Sequence, residues 1–211
     1  MKKLWRASKN QILNSNLMQY EKFVKDKYNL KFKSNYDKIF NWSIKHKGNF
    51  WDSIWDFCKV KGIKGKNKIK SSKIFFKNLF LTDYKLNFAE NILGKNDNSK
   101  AITFISENGF REERSWSQLN KNVSKIITYF NKINIKKGDR VSAYLPNIIQ
   151  TVESFVATSA IGAIWSSCSP DFGLNGLVER FAQIKPKILI IGDRYYYKEK
   201  KSMLLKDFQI Y

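Results

Sequence analysis

The sequence predicts an α/β protein in which an N-terminal helical leader precedes the first βα units of a parallel sheet, and three observations carry that reading. Residues 1–100 hold helical periodicities on a basic background, with 23 basic against 8 acidic residues, whereas residues 101–211 hold 16 against 10. From Ala101 onward, short apolar runs alternate with amphipathic stretches, the pattern of βαβ units whose sheet is covered on both faces. A chain of 211 residues with 43% hydrophobic and 27% charged residues is also globular in composition and long enough to bury a sizeable core. The expected organisation is a helical extension over 1–100 and the start of an α/β domain over 101–211.

The elements follow in order. Leu17, Tyr20, Val24 and Tyr28 recur at i, i+3, i+7 and i+11, and Phe50, Trp51, Ile54, Trp55, Phe57 and Cys58 repeat at three and four. Both stretches predict amphipathic helices. Residues 59–77 contain eight lysines, two glycines and no acid, which predicts an exposed Lys-rich loop. Residues 101–106 and 110–116 flank Glu107-Asn108-Gly109, a connection that closes a hairpin. Ser115-Trp116-Ser117-Gln118 has the form of a capping box, and Leu119, Val123, Ile126, Ile127, Phe130 and Ile133 then share one helical face. A turn at 136–139 leads to a strand at 140–145, a helix over 148–161, a strand at 163–167, a helix over 174–184 and a strand at 188–191.

The net charge of +21 rests on 33 Lys and only 6 Arg. Such a field attracts nucleic acid, anionic membranes or anionic cofactors. However, Lys, Asn, Ile, Phe and Tyr, whose codons are AT-rich, make up 102 residues, and specific nucleic-acid sites favour the forked Arg. Codon bias therefore explains the excess better than a nucleic-acid partner does. Phe75 and Phe76 beside the lysines have the makings of an RNA contact, although a solvated loop is the plainer reading.

Cys58 and Cys168 cannot make a disulfide framework, and with His46 alone beside them no four-ligand zinc site is available. His46, in the charged leader, is expected at the surface, and no G-x-S-x-G elbow, Walker loop or G-x-G-x-x-G is present. The longest weakly polar run, 154–165, is too short to span a bilayer. These features predict a cytoplasmic protein without membrane contact. The most individual words are RVSAYLPN at 140–147 and GAIWSSCSPDFG at 162–173, each a strand leading through a turn into a helix. In a parallel sheet such strand ends form the ligand crevice. Ser169-Pro170-Asp171 places polar groups where a helix start favours an anion, while simple helix capping is the plainer reading of either Ser169 or Asp171 alone.

LNFAENIL at 86–93, SW at 115, GDRVSAYLPN at 138, AIGAIWSSCSPDFG at 160 and PKILIIGD at 186–193 closely resemble the N-terminal part of acetoacetate–CoA ligases. These belong to the AMP-forming acyl-CoA synthetase, or adenylate-forming, superfamily. The leader around Trp42, Phe50-Trp51 and Trp55-Asp56-Phe57 is similar to the helical extension of short-chain members. The resemblance covers roughly residues 4–201, and WSSCSPDFG points to the acetoacetate branch.

The resemblance implies an acid–thiol ligase in which ATP and acetoacetate give an acyl adenylate and diphosphate, and CoA then displaces AMP. It implies ATP, Mg²⁺ and CoA as cofactors of the complete enzyme and acetoacetate as its substrate. The Ser/Thr/Gly-rich loop ending in Pro-Lys, the nucleotide motifs and the C-terminal lysine domain of the family have no counterpart in this sequence, since Pro186-Lys187 follows Gln183-Ile184-Lys185. The expectation is therefore an incomplete adenylation domain over 101–211, with no catalytic or metal-binding residue and no tightly held cofactor, docking on the missing downstream half. In relatives, two arginines after the last strand face the CoA phosphates; here Tyr197 replaces one and Lys200 keeps a cation at the other, with Arg194 as the neighbouring alternative. The competing expectation is a non-catalytic binding module, either a polyanion (RNA) binder or half of a split synthetase.

Overall fold

The computed structural model describes residues 4–197 and 200–203, with side chains up to Tyr196. The chain divides into two compact units between Leu86 and Asn87.

The first unit contains four helices: α1 (Lys9–Leu13), α2 (Asn16–Tyr28), α3 (Tyr36–Lys45) and α4 (Lys47–Phe57). Ser8 with Gln11, Ser15 and Asn35 supply side-chain oxygens to the free backbone N–H groups at the starts of α1, α2 and α3. Tyr20, Val24, Ile39 and Trp42 form the buried core, joined by Phe23, Tyr28, Phe50, Ile54 and Phe57. Inside it, the Tyr20 hydroxyl and Ser53 Oγ are hydrogen-bonded at 2.7 Å.

Residues 59–77 are more ordered than an exposed loop. They contain the strand β1 (Ile69–Lys70), which pairs antiparallel with β2 (Leu79–Phe80), and a 3-10 turn at Phe75–Lys77. Two of the lysines are drawn inward by a buried acid. Asp52 on α4 accepts the Tyr84 hydroxyl at 2.7 Å and lies 2.9 Å from Lys64 Nζ, 3.2 Å from Lys68 and 3.2 Å from Lys27 on α2. Asp56, one turn on, also accepts from Lys27 and Lys64. Burial pushes the Asp52 pKa up, but the hydrogen bonds from Tyr84, Lys64, Lys68 and Lys27 prevail and hold its carboxyl well below the usual range. At Gly62 a Cβ would lie 2.3 Å from the Lys85 carbonyl, so only glycine lets the segment approach closely enough for the Ile63–Lys85 bridge. Some of the positive charge thus pairs inside the unit, and Phe75 and Phe76 stay exposed.

The second unit begins earlier than residue 101. Asn87 caps α5 (Phe88–Ile92) and donates its amide to the Ala160 carbonyl at 2.8 Å, and Ala89 lies in the same core as Leu119, Val123 and Phe130. The hairpin β3 (Lys100–Ile105) and β4 (Arg111–Ser115) precedes α6 (Trp116–Lys132), whose start carries the expected capping box of Ser115 and Gln118. Then come β5 (Arg140–Tyr144), α7 (Ile149–Ala160), β6 (Ile164–Cys168), a 3-10 turn at Pro170–Phe172, α8 (Gly173–Ile184), β7 (Ile188–Ile191) and the hairpin β8 (Arg194–Tyr197) with β9 (Lys200–Met203).

The sheet has the order β6-β5-β7, and both pairings are parallel. The chain thus leaves β5 for one side and returns to the other. Right-handed crossovers in opposite directions require helices on opposite faces. The packing meets this requirement: Val141 shares its core with α6 and α7 residues, including Val123, Phe130, Val156 and Ala157, whereas Tyr144 and Cys168 pack with Leu177 and Phe181 of α8. The turn before β5 closes through the Lys136 N–H on Asp139, which Lys187 also meets at 2.9 Å.

Candidate functional site

The reversal of strand order places a switch point between the carboxyl ends of β5 and β7. After β5, the turn at Pro146 is fixed by hydrogen bonds to its carbonyl from Thr151 Oγ1 at 2.7 Å and from the Ile148 N–H at 2.9 Å. No side chain caps the start of α7. After β7, the Gly192 N–H still donates to Tyr144 O at 3.2 Å, which keeps the two strand ends together until the chain turns into β8 at Arg194.

The β3–β4 hairpin supplies the facing wall. Gly109 adopts φ +79 in its turn, and Asn108 Oδ1 accepts from the Phe110 N–H at 3.1 Å. The rings of Phe104 and Phe110 lie 6.4 Å apart. Between the hairpin and the strand ends is a cleft of about 800 Å³, lined by Phe104, Phe110, Asn147, Arg194, Tyr195 and Tyr196 among others. This volume lies within the range of small-molecule sites.

Arg194, one of the two predicted phosphate contacts, lines this cleft. Its Nε donates to Asp193 Oδ2 at 2.6 Å, and half of its side-chain surface is exposed. The same hydrogen bond lowers the Asp193 pKa. Lys200, the other, opens β9 opposite Tyr197, and its side chain lies outside the described residues. The Ser169-Pro170-Asp171 turn differs from expectation: neither residue caps a helix. Ser169 Oγ donates to Asp171 Oδ2 at 2.8 Å, and Tyr144 pins the turn by donating to the Pro170 carbonyl at 2.9 Å. Cys168 is buried in the sheet, where burial pushes its thiol pKa up and keeps it protonated. His46 is exposed at the junction of α3 and α4. Among the described residues no three His, Cys, Asp or Glu side chains are placed to share a metal, and no helix is long and apolar enough to cross a membrane.

Sequence reasoning missed the hairpin aromatics Phe104 and Phe110 as partners of the strand ends. The Glu107-Asn108-Gly109 turn announced the hairpin, but nothing local announced what it faces.

Comparison with known proteins bears on what such a scaffold serves. A family model described as AMP-binding enzyme matches residues 90–210, more than half of the chain. An acetoacetyl-coenzyme A synthetase of Rhizobium meliloti is 34% identical over 94% of this chain and 30% of its own length, and an acetoacetyl-CoA synthetase of Xenopus tropicalis is 36% identical over 83% and 27%. The solved acetoacetyl-CoA synthetase from Streptomyces lividans matches 99% of this chain and 33% of its own with a TM-score of 0.91; at 24% identity that likeness speaks for the fold. The chain spans about a third of the length of these relatives. Its α/β architecture and the extent of the family match together place this chain in the AMP-binding enzyme family.

Proposed function

We propose that the chain serves as the leading part of an acetoacetate–CoA ligase, which joins acetoacetate to CoA with ATP cleaved to AMP and diphosphate through an acyl adenylate. The observation that carries this reading is the 34% identity to an acetoacetyl-coenzyme A synthetase along 94% of the chain. The complete reaction requires the α-phosphate to be attacked by a carboxylate while the other phosphates are neutralised, work suited to Mg²⁺ and a cationic side chain. This span has no Ser/Thr/Gly-rich loop ending in Pro-Lys for that purpose. Its contribution is the sheet, the cleft and the cations after β7, with Arg194 and Lys200 meeting the phosphates of CoA. The extension over the first hundred residues and the α/β segment after it act as one leading portion of the adenylation enzyme, in the cytoplasm where ATP and CoA are used.

The test has two arms. On the chain alone, acetoacetate-dependent ATP–diphosphate exchange is expected at background. Substituted for the matching third of the Rhizobium meliloti synthetase, the chain is expected to support acetoacetyl-CoA formation. Clear exchange by the chain alone, or a chimera that activates another acid in preference to acetoacetate, overturns the reading. In the chimera, Lys200→Ala is expected to raise the KM for CoA about tenfold, the scale of one charge-assisted contact; an unchanged KM removes Lys200 from the site.

A further inference from the structure

We propose that the β1–β2 ribbon of the first unit is a docking surface for an anionic lipid membrane, with the rings of Phe75 and Phe76 entering the interface and the lysines beside them meeting the headgroups. The inference stands on the first unit alone and is independent of the ligase reading above.

The exposure of the rings is built into the turn. Phe75 is 90% exposed and Phe76 80%, both on the 3-10 turn that joins β1 to β2, and Ile74 before them is exposed as well. The turn is held from within. The Asn78 side chain donates to the carbonyls of Ser72, Ile74 and Phe75 at 3.2, 3.2 and 2.8 Å and accepts from the Ser72 N–H at 3.1 Å, while Ser72 Oγ accepts from the Ile74 N–H. At the base of the ribbon, Phe80 packs edge-on against Trp51 of α4. A slack loop could fold two phenyl rings away from water, whereas this one is pinned with them outward. Apolar side chains gathered at one exposed point mark an interaction surface.

Charge selects the partner. No acid occurs in the sequence between Asp56 and Asp83. Lys64 and Lys68 are drawn inward by Asp52, but Lys70, Lys73 and Lys77 are exposed and make no ion pair among the described residues. Aromatic rings ringed by lysines suit the boundary of a bilayer, where the rings reach the acyl chains and the ammonium groups meet anionic headgroups.

Two features favour a membrane over RNA. In a 3-10 turn, neighbouring side chains stand about 120° apart, so the two rings splay, whereas successive stacked bases need them parallel. A fluid acyl layer accepts splayed rings. Every cation from Lys59 to Lys77 is also a lysine, and none is the forked Arg that nucleic-acid sites favour. The expectation of no membrane contact rested on the want of a spanning segment, which does not bear on docking at a surface.

Co-sedimentation with lipid vesicles tests the proposal. Vesicles of phosphatidylcholine with about 30% phosphatidylserine should bind the chain, and vesicles of phosphatidylcholine alone should bind it about tenfold more weakly. Phe75→Ala and Phe76→Ala should each weaken binding about tenfold through lost apolar burial, and Lys73→Ala about fivefold. Added salt should weaken binding by the wild type. These residues are exposed, and circular dichroism checks that the variants fold.

Binding to the phosphatidylserine vesicles by the chain and by its chimera with the Rhizobium meliloti synthetase, weakened in the Phe75 and Phe76 variants, supports the proposal. Absence of sedimentation overturns it, as does sedimentation that the two Phe variants leave unchanged. Binding of polyuridine that exceeds vesicle binding and depends on Phe75 overturns it in favour of RNA. A chimera that stays in solution while the chain alone sediments shows that the rings are covered in the whole enzyme, and overturns it too.

Discussion

Asp52→Ala is expected to lower the stability of the first unit by about 3 kcal/mol, the low end of the range for breaking a buried ion pair from one side. The carboxylate is 3% exposed and holds Lys27, Lys64, Lys68 and Tyr84 together. Its removal leaves three ammonium groups with Asp56 as their remaining carboxylate, which reaches Lys27 and Lys64 but not Lys68, and a phenol without its acceptor. The lysines are 26–39% exposed and can turn to water, which is why the upper end of the range is not reached. Asp52→Asn, which keeps an acceptor for Tyr84 but no charge, should lose less. The pH dependence has a definite sign. Because the folded carboxyl titrates below its unfolded value of about 3.9, its contribution is present above that pH and is lost as the pH falls below it. Urea unfolding at pH 7 and pH 3 checks this: the wild type should weaken on acidification, and the gap between wild type and Asp52→Ala should shrink. An equal gap at both pH values would contradict it.

Phe130→Ala is expected to cost the second unit about 3–5 kcal/mol. Phe130 is 1% exposed at the end of α6 and fills the layer that Val123, Val141 and Val156 share beneath the sheet. Truncation leaves a cavity lined by β-branched residues, which are stiff at χ1 and slow to close it. Phe130→Leu, which retains most of the volume, should cost about 1.5 kcal/mol or less. Hydrogen exchange separates the two units, since accelerated exchange should concentrate in α6, β5 and α7 for Phe130→Ala and in α2 and α4 for Asp52→Ala.

The second unit was legible because its signals are local. The capping box at Ser115, the one-faced helix after it and the four apolar residues of β7 each state their element within a few positions. Helix α3 was only partly legible. Tyr36, Ile39, Phe40 and Ile44 recur at i, i+3, i+4 and i+8, but that spacing does not tell which of the apolar residues are buried: Ile39 and Trp42 face the core, whereas Tyr36, Phe40 and Ile44 are exposed. Lys64 and Lys68 read as solvated because their partner, Asp52, is distant in sequence and carries no spacing signal. The cleft was half legible: the ends of β5 and β6 were marked as a ligand crevice by their βα pattern, but the cleft lies at the ends of β5 and β7, and its hairpin wall depends on a long-range fold-back. Arg194 came from resemblance, and the structure adds that it lines the cleft.

The strand order also bears on how the chain is made. Val141 pairs with Trp165 on one side and with Ile188 on the other, so the apolar middle strand leaves the ribosome with both edges bare. Its second edge is covered only after β6 and α8 have been synthesised. Bare strand edges recruit other chains, and such non-local pairing is slow to form. The helices of the first unit, held largely by nearby contacts, can condense during that interval. Nascent-chain pauses placed between α8 and β7 should therefore be where this protein most needs a chaperone.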